Sequence, residues 1–579
     1  MTHKRNGDGT LQFEVSETNV KSFFQATSEE ECFYSKHISD IKVIAGKNGA
    51  GKSTLLELLS FVISGHESEL DQSTPLEYCI LWIDKDGSCQ YDTNKENLNP
   101  KIFFNSSPIE SILPKKYKKE VILYSAVFND EWQYSYPEGK RSNLQDIRTQ
   151  YLIQQDIENF NNNPDMYGMN NRLACHSIME SIRQVNFVSD FIGKEDFLSS
   201  IFILPNKVFF NFSEGSLRNH IRSFLENFVL HEENYSSDKK LSSVQDIINF
   251  GNELNNKEDP LKAKYKKVED DWIRFFYESE NLDLKIRFAL IFANIGKYLN
   301  PVLNNWAIPF REIEKNLDEE ICQDLLNTIQ LNLKNIISDD TQKGLYECLK
   351  DNYVGRYFEF DLPSEKVRTL LKIIFGLKLH VPFMEMGWNR RLSSGESCYL
   401  RMFSRFYDSI LNEKKFRSIN SLEALFVVDE VDLYLHPDWQ RCWLSKFIQG
   451  IKLIQDVVDV DLNLHLVLAT HSPFMLTDFS SESIVRLVRE EDLSTKAQNS
   501  ESNTLAANIF DFLEGDFFLD SSIGEHIRKK ITKLVEEIDQ TNKSNEPLSE
   551  YSKMIINNIG DPIIKTLLIN RKGMQNDND

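Results

Sequence analysis

The sequence predicts an α/β fold, a mixed sheet with flanking helices split by a large α-helical insertion. Three features carry that expectation. The runs ALFVVDEV (424–431) and LHLVLATHS (464–472) are continuously apolar and end in polar residues, as buried central strands do. The first 145 residues alternate short apolar runs with turns. Residues from about 150 to 375 read instead as amphipathic helical pieces broken by prolines.

Taken in order, residues 1–148 form one lobe. Its strands are LQFEV, IKVIAG, EYCILWID, KIFF and EVILYSAVF, interrupted by one helix, KSTLLELLSFVIS, with apolar Leu55, Leu56, Leu58, Leu59, Val62 and Ile63. Residues 149–378 form the insertion. It opens on an Asn-rich loop (ENFNNNPDMYGMNN) and continues through HIRSFLENFVL, SVQDIINFGNELNN and LKIRFALIFANIGKYL, punctuated by Pro205, Pro260, Pro301, Pro309 and Pro363. No heptad pattern lasts the three or four repeats that an extended coiled coil needs, so the insertion reads as compact. Residues 379–520 return to strand and helix alternation. Residues 521–579 read as a helical tail: one helix (GEHIRKKITKLVEEID), a polar linker, a second short helix and a frayed end. No internal repeat is present.

Composition narrows the partners. The 579 residues carry 66 Lys+Arg against 88 Asp+Glu, a formal charge of −22, which argues against coating nucleic acid by bulk attraction but leaves room for a local basic groove. The eight cysteines are scattered, with neither a CxxC pair nor zinc spacing, and read as reduced, mostly buried thiols of a cytoplasmic protein. The start, MTHKRNGDGTLQFEV, lacks the apolar core of a secretory signal, and no run approaches the ~20 apolar residues of a membrane span. A soluble chain with no membrane partner is expected.

The sharpest motif is Gly46-Lys47-Asn48-Gly49-Ala50-Gly51-Lys52-Ser53, followed by Thr54, which fits GxxxxGK[ST]. It follows an apolar strand and opens a helix, the context such a loop needs. Glycines let consecutive backbone N–H groups turn toward phosphate oxygens, and the helix N-terminus adds partial positive charge. Lys52 suits the β- and γ-phosphates and Ser53 suits Mg²⁺, so the loop by itself predicts binding of a nucleoside triphosphate with Mg²⁺.

Asp429 and Glu430 end the strand LFVV. Asp429 can hold the Mg²⁺ shell, and Glu430, one residue on, can act as general base on the attacking water. Ser393, Ser394, Gly395 and Glu396 start the helix SCYLRMFSRFYDSIL. Read alone they are a capping box, Ser393 with Glu396 three residues later; a serine- and glycine-bearing helix start is also an anion-binding end. His471, in ATHSP at another strand end, is placed to contact a γ-phosphate, although a lone strand-end histidine is more often structural.

In this order, GKNGAGKST, LSSGE, VVDEVDLYLHP and ATHSP resemble the motifs of ATP-binding-cassette ATPases, in the soluble branch of RecF, SMC and OLD-type proteins. The resemblance spans residues 46–473. It implies a P-loop NTPase head of ABC/SMC type, with 1–148 and 379–520 as its two lobes and with Lys52, Ser53, Asp429, Glu430 and His471 in the roles above. It also implies that Ser393, Ser394, Gly395 and Glu396 form a signature loop reaching the γ-phosphate bound to a second subunit, so that two ATP are sandwiched in a homodimer or higher even oligomer. Ser394 and Glu396 stand where transporters carry Gly and Gln. The family's glutamine loop maps to Gln133 or Gln145, and an adenine-stacking aromatic to Phe33 or Tyr34.

A further stretch, Asn503–Ile509 with Phe517-Phe518-Leu519 and Ile523-Gly524-Glu525, is similar to a segment of bacterial anti-phage ATPases, including the ATPase subunits of Septu and retron-linked Septu systems. That resemblance implies a sensor or regulator of a separate nuclease or toxin effector, with an HNH nuclease or a retron reverse transcriptase and its nucleic acid as partners. No DxD on a predicted strand follows His471, and no HNH-like cluster occurs in the sequence, so no nuclease site is read in this chain. The alternative is a DNA-repair or chromosome-maintenance ATPase of RecF/SMC type that clamps DNA.

Overall fold

The computed structural model describes residues 2–5, 11–15, 34–66, 78–83, 89–93, 101–104, 107–108, 119–127, 143–160, 169–194, 203–234, 260–298, 318–332, 339–377, 383–492, 494–499, 503–509, 523–544 and 546–573. The chain divides into two compact units, one of Met1–Ile44 with Gly51–Met475, the other of Ala45–Ala50 with Leu476–Asp579.

In chain order the principal elements are β1 (Ile38–Gly46), α1 (Lys52–Ser64), β2 (Glu120–Ser125), β3 (Leu144–Asp146), α2 (Met169–Phe191), β4 (Lys207–Phe212), β5 (Tyr353–Val354), β6 (Tyr357–Asp361), β7 (Met384–Trp388), α3 (Ser394–Arg417), β8 (Ser421–Asp429), α4 (Pro437–Val458), β9 (Asp461–Ala469), β10 (Ile484–Arg489), β11 (Thr495–Asn499), α5 (Glu525–Ser544), α6 (Glu550–Asn558) and α7 (Pro562–Lys572).

The first unit is built on parallel strands in the order β1-β9-β8-β2-β3. Phe426, Val427 and Val428 are fully buried, as are Leu464 and Leu468, which matches the continuous apolar runs that a sheet covered on both faces demands. Parallel pairing puts the carboxyl ends of these strands on one edge. The register sets Asp429 beside Ser125, Val428 beside Leu468, and Ala469 beside Ile44. Functional side chains of open α/β sheets gather at that edge. Helices cover the faces: α4 lays Trp443, Leu444, Phe447, Ile451 and Ile454 toward the core at helical spacing, and Pro437 at its first turn fits a position whose N–H needs no partner. This is an α/β architecture compatible with a P-loop NTPase head carrying a helical insertion.

The insertion is not helical throughout. Strands β5, β6, β4 and β7 form an antiparallel four-stranded sheet inside and just beyond it. β5 and β6 form a tight hairpin around Gly355, but β4 finds its partners β6 and β7 about 150 and 175 positions further along the sequence, so no local signal joins it to them. The helices Glu214–Asn234, Pro260–Glu278 and Leu282–Tyr298 pack around Phe224, Trp272, Phe276, Phe288 and Phe292, with Phe224 and Phe292 edge to face at 5.4 Å. The predicted helix SVQDIINFGNELNN lies outside the described residues.

In the second unit β10 and β11 make an antiparallel pair with Arg489 opposite Thr495. Helices α5, α6 and α7 enclose Leu534, Ile538, Leu548, Ile556 and Leu568. The tail thus holds three helices where the sequence suggested two. The extra break comes at Asp561-Pro562: the Asp561 carboxylate accepts from the N–H groups of Ile563 and Ile564 and starts α7 afresh.

Among the described residues Cys175, Cys322, Cys348 and Cys398 are free and buried, and burial pushes the Cys175 and Cys322 thiols up to about 12, the state of inert core thiols. Among the described residues no helix is long and apolar enough to cross a membrane.

Candidate nucleotide site

The first unit brings Lys52, Ser53, Asp429, Glu430, Asp432 and His471 together at the carboxyl edge of the sheet. Lys52 is 6% exposed at the start of α1. Burial lowers the pKa of its amine, and the negative charges of Asp429, Glu430 and Asp432 oppose that shift. Asp429 shows the mirror effect. Burial raises its carboxyl, while a hydrogen bond from Ser53 and the charges of Arg148 and Lys52 lower it. One oxygen, Asp429 Oδ1, is buried without a hydrogen-bond partner among the described residues. A buried orphan oxygen is costly unless something binds it. Together with the adjacent Ser53 hydroxyl, it fits the donor set of a Mg²⁺ that takes its remaining ligands from phosphates and water.

Glu430 adopts a left-handed φ of 51°, a strained setting for a residue with a side chain, and its N–H donates to the Ala469 carbonyl at 3.1 Å. Burial and the neighbouring charges of Asp429 and Asp432 push its carboxyl pKa up, and Lys52 opposes them. Perturbed acids beside a buried lysine are the electrostatic pattern of a candidate functional site. His471 is half-buried, and burial plus the Lys52 charge lower its pKa, which favours neutral imidazole.

The next strand end is tied to this one. Asp432 accepts from the Thr470 hydroxyl at 2.8 Å and from the His471 N–H at 3.3 Å. Gln440, from α4, donates to the carbonyls of Asp432 and Leu435 at 3.2 and 3.0 Å and accepts from Ser472 Oγ at 2.7 Å. Neither Asp432 nor Gln440 carries a motif position in the sequence reading. The only trace is that both lie within VVDEVDLYLHPDWQ, next to the acidic pair.

Ser393 caps α3 through a capping box: its Oγ accepts from Glu396 N at 3.3 Å, and Glu396 Oε2 accepts from Ser393 N at 2.7 Å. Arg390 holds the other Glu396 oxygen at 2.7 Å. Ser393 and Ser394 are exposed, and Gly395 is buried against Trp439 and the Tyr434 carbonyl. The capped-helix reading therefore holds, with the Ser393 oxygen engaged in the cap and both serines exposed.

In the second unit lie Gly46, Lys47, Asn48, Gly49 and Ala50. A Cβ on Gly46 would come within 2.6 Å of the Leu487 carbonyl, so only glycine fits there. Gly49 has φ +79°, and its carbonyl accepts from Arg489 Nη1 at 3.1 Å; the Ala50 carbonyl accepts from Thr495 Oγ1 at 3.2 Å. The β10–β11 pair thus supports the loop backbone, a role invisible in the motif. Gly51 follows with φ 82°, and Ser53 and Thr54 are exposed on α1.

Gln145 does not join this group. It sits in β3, and its Oε1 accepts from Ser409, well along α3. Tyr34 is half-buried ahead of β1, while Gln133 and Phe33 lie outside the described residues.

No family model matches the chain. Two curated proteins are similar to parts of it. The retron Vc95 probable ATPase of Vibrio cholerae serotype O1 biovar El Tor is 31% identical over 161 residues, covering 26% of this chain and 29% of that protein. The retron Ec83 probable ATPase of Escherichia coli is 24% identical over 235 residues, covering 37% of this chain and 41% of that protein. The matched segments thus span well under half of these relatives, and what they establish is a distant similarity to two proteins named as probable retron ATPases.

Proposed function

We propose that the chain is an ATPase of ABC/SMC type. The carrying observation is the meeting of a buried Lys52 with the Ser53–Asp429 pair and the raised carboxyl of Glu430 at one sheet edge. Ser53 and Asp429 would hold Mg²⁺, which supplies charge neutralisation on the β- and γ-phosphate oxygens. Lys52 binds the same phosphates from the helix start. Glu430 accepts the proton of the attacking water, for which a raised carboxyl pKa is suited. The Asp432–Thr470–His471 connection positions His471 beside the phosphate end. Ser393 and Ser394, exposed at the start of α3, are available to a phosphate bound by a second copy, so ATP would close two heads on each other and hydrolysis would release them.

The similarity to two proteins named as probable retron ATPases supports a retron setting for this activity; in that setting its partners would be a reverse transcriptase and its nucleic acid, and an HNH nuclease or a toxin would be the controlled effector in anti-phage defence. The purified protein tests the chemistry. Wild type should hydrolyse ATP; Lys52→Ala should lose ATP binding; Ser393→Arg should block association while single-head binding persists. A wild-type protein that neither binds nor hydrolyses ATP in the presence of Mg²⁺ would sink the proposal. Co-purification from the native operon, with partners identified by mass, tests the assembly.

A further inference from the structure

Beside the start of α3, and apart from Ser393 and Gly395, the first unit holds a cavity of about 430 Å³. That volume suits a small organic ligand. Trp388, Arg390, Arg391, Ser397, Arg401 and Gln184 line it, and no carboxylate does. In a chain of net charge −22, three guanidinium groups around one concavity are a concentrated exception.

Their charges are unevenly met. Arg390 is matched by Glu396 at 2.7 Å and by the Ile203 carbonyl. Arg391 is exposed, and neither its guanidinium nor that of Arg401 makes a side-chain hydrogen bond or ion pair among the described residues, although the Arg401 charge contributes to holding the Glu180 carboxyl down. The contrast along α3 explains why. Ser397, Arg401 and Arg405 recur at one-turn spacing on a single face. Arg405, 2% exposed, is neutralised by Glu180 of α2 at 3.0 Å and bonds the Ile147 carbonyl and Thr149. Four residues on from Glu180, α2 contributes Gln184 to the cavity wall, an amide where a second acid would have closed the pattern. The same two helices thus make one direct ion pair, Arg405 with Glu180, and leave Arg401 with only the longer-range charge of that same carboxylate.

Unmatched guanidinium groups in a concave wall focus positive potential and select phosphate over water, because their planar donors match its oxygens. Trp388, half-buried at the end of β7, adds an aromatic face, and Gln184 and Ser397 add neutral donors and acceptors. A base can stack on that face while its phosphate meets the arginines.

We propose that this cavity binds a nucleoside phosphate, separately from the phosphate loop, through Arg391, Arg401 and Trp388. Its source is either a free nucleotide or one nucleotide of a single strand. The inference does not depend on the ATPase reading.

The test uses the full chain carrying Lys52→Ala, in EDTA, so that the phosphate loop contributes nothing. Binding of a fluorescein-labelled DNA single strand of about 12 nucleotides is followed by anisotropy, with AMP and UMP as unlabelled competitors. Arg391→Ala and Arg401→Ala should each weaken binding by about tenfold, the worth of one charge-assisted hydrogen-bonding group, and the salt dependence should become shallower. Displacement by AMP or UMP identifies a free nucleotide as the source; displacement only by unlabelled strand identifies nucleic acid. Arg391 is exposed, so its replacement leaves folding intact and keeps the test valid if Arg401→Ala misfolds. Absence of binding to both probes, or equal affinity in the Arg391→Ala protein, overturns the proposal.

Discussion

Thr470 donates its hydroxyl hydrogen to the Asp432 carboxylate at 2.8 Å, which locks the turn after Asp429–Glu430 to the end of the neighbouring strand. Thr470 is fully buried, and its oxygen also accepts from the Ser472 N–H at 2.9 Å. Asp432→Ala strips this hydroxyl and the His471 N–H of their acceptor. The expected cost is about 1–3 kcal/mol, as for other buried groups left unsatisfied, with a fall in ATP turnover because His471 loses its anchor. Urea unfolding and steady-state hydrolysis measure the two effects, and an Asp432→Ala protein unchanged in both would refute the coupling.

Glu430→Gln keeps the shape of the side chain and removes the base. Turnover should drop by about 10²–10⁴-fold, the usual share of a positioned base, while ATP affinity holds and an ATP-bound dimer accumulates. Hydrolysis at the wild-type rate would show that another group takes the proton.

Gly395 has no room for a methyl group: a Cβ there would lie 2.7 Å from Trp439 Cζ3 and 3.2 Å from the Tyr434 carbonyl. Gly395→Ala should destabilise the protein by about 1–3 kcal/mol through overpacking and disturb Ser393 and Ser394 beside it. Thermal melting, with indole fluorescence reporting on the displaced ring, is the check; an unshifted melt would mean that the helix start yields freely.

Glu180 gives the pH dependence. Burial raises its carboxyl, but Arg405 and Arg183 outweigh burial and hold it down to about 2, against an ordinary 4.5. A depressed acid contributes stability that is complete above its unfolded value and is lost as pH falls through the folded one. Stability should therefore decline between about pH 4.5 and pH 2. Glu180→Gln should flatten that decline and cost about 3 kcal/mol at neutral pH, because it strands the buried Arg405. Chemical denaturation across that pH range measures both, and an unaltered pH profile in the variant would assign the acid lability elsewhere.

Local chemistry was legible in the sequence where it is contiguous. The loop 46–53, the acidic pair at 429–430, the capping box at 393–396 and the apolar strands at 424–428 and 464–469 each announce themselves by spacing and composition. The sheet formed by β4, β5, β6 and β7 does not, because beyond the short β5–β6 hairpin its strands pair across long sequence separations inside helical surroundings. Gln440 and Arg489 carry no motif signal either, and Asp432, although inside VVDEVDLYLHP, has no role assigned by it. Their roles consist of partners: a hydroxyl on another strand, a serine after it, a carbonyl in a distant loop.

The sequence by itself determined the order and chemistry of the nucleotide motifs, since those depend on backbone conformation and residue type within a few positions. Tertiary structure alone decided which acid answers which base. Lys52 meets Asp429, Glu430 and Asp432 only because parallel strand pairing brings their ends to one edge. Arg405 pairs directly with Glu180 of α2, while Arg401 feels that carboxylate only at longer range and shares a cavity wall with Gln184. Charge pairing falls off with distance in space, and distance in space between residues hundreds of positions apart is set by packing.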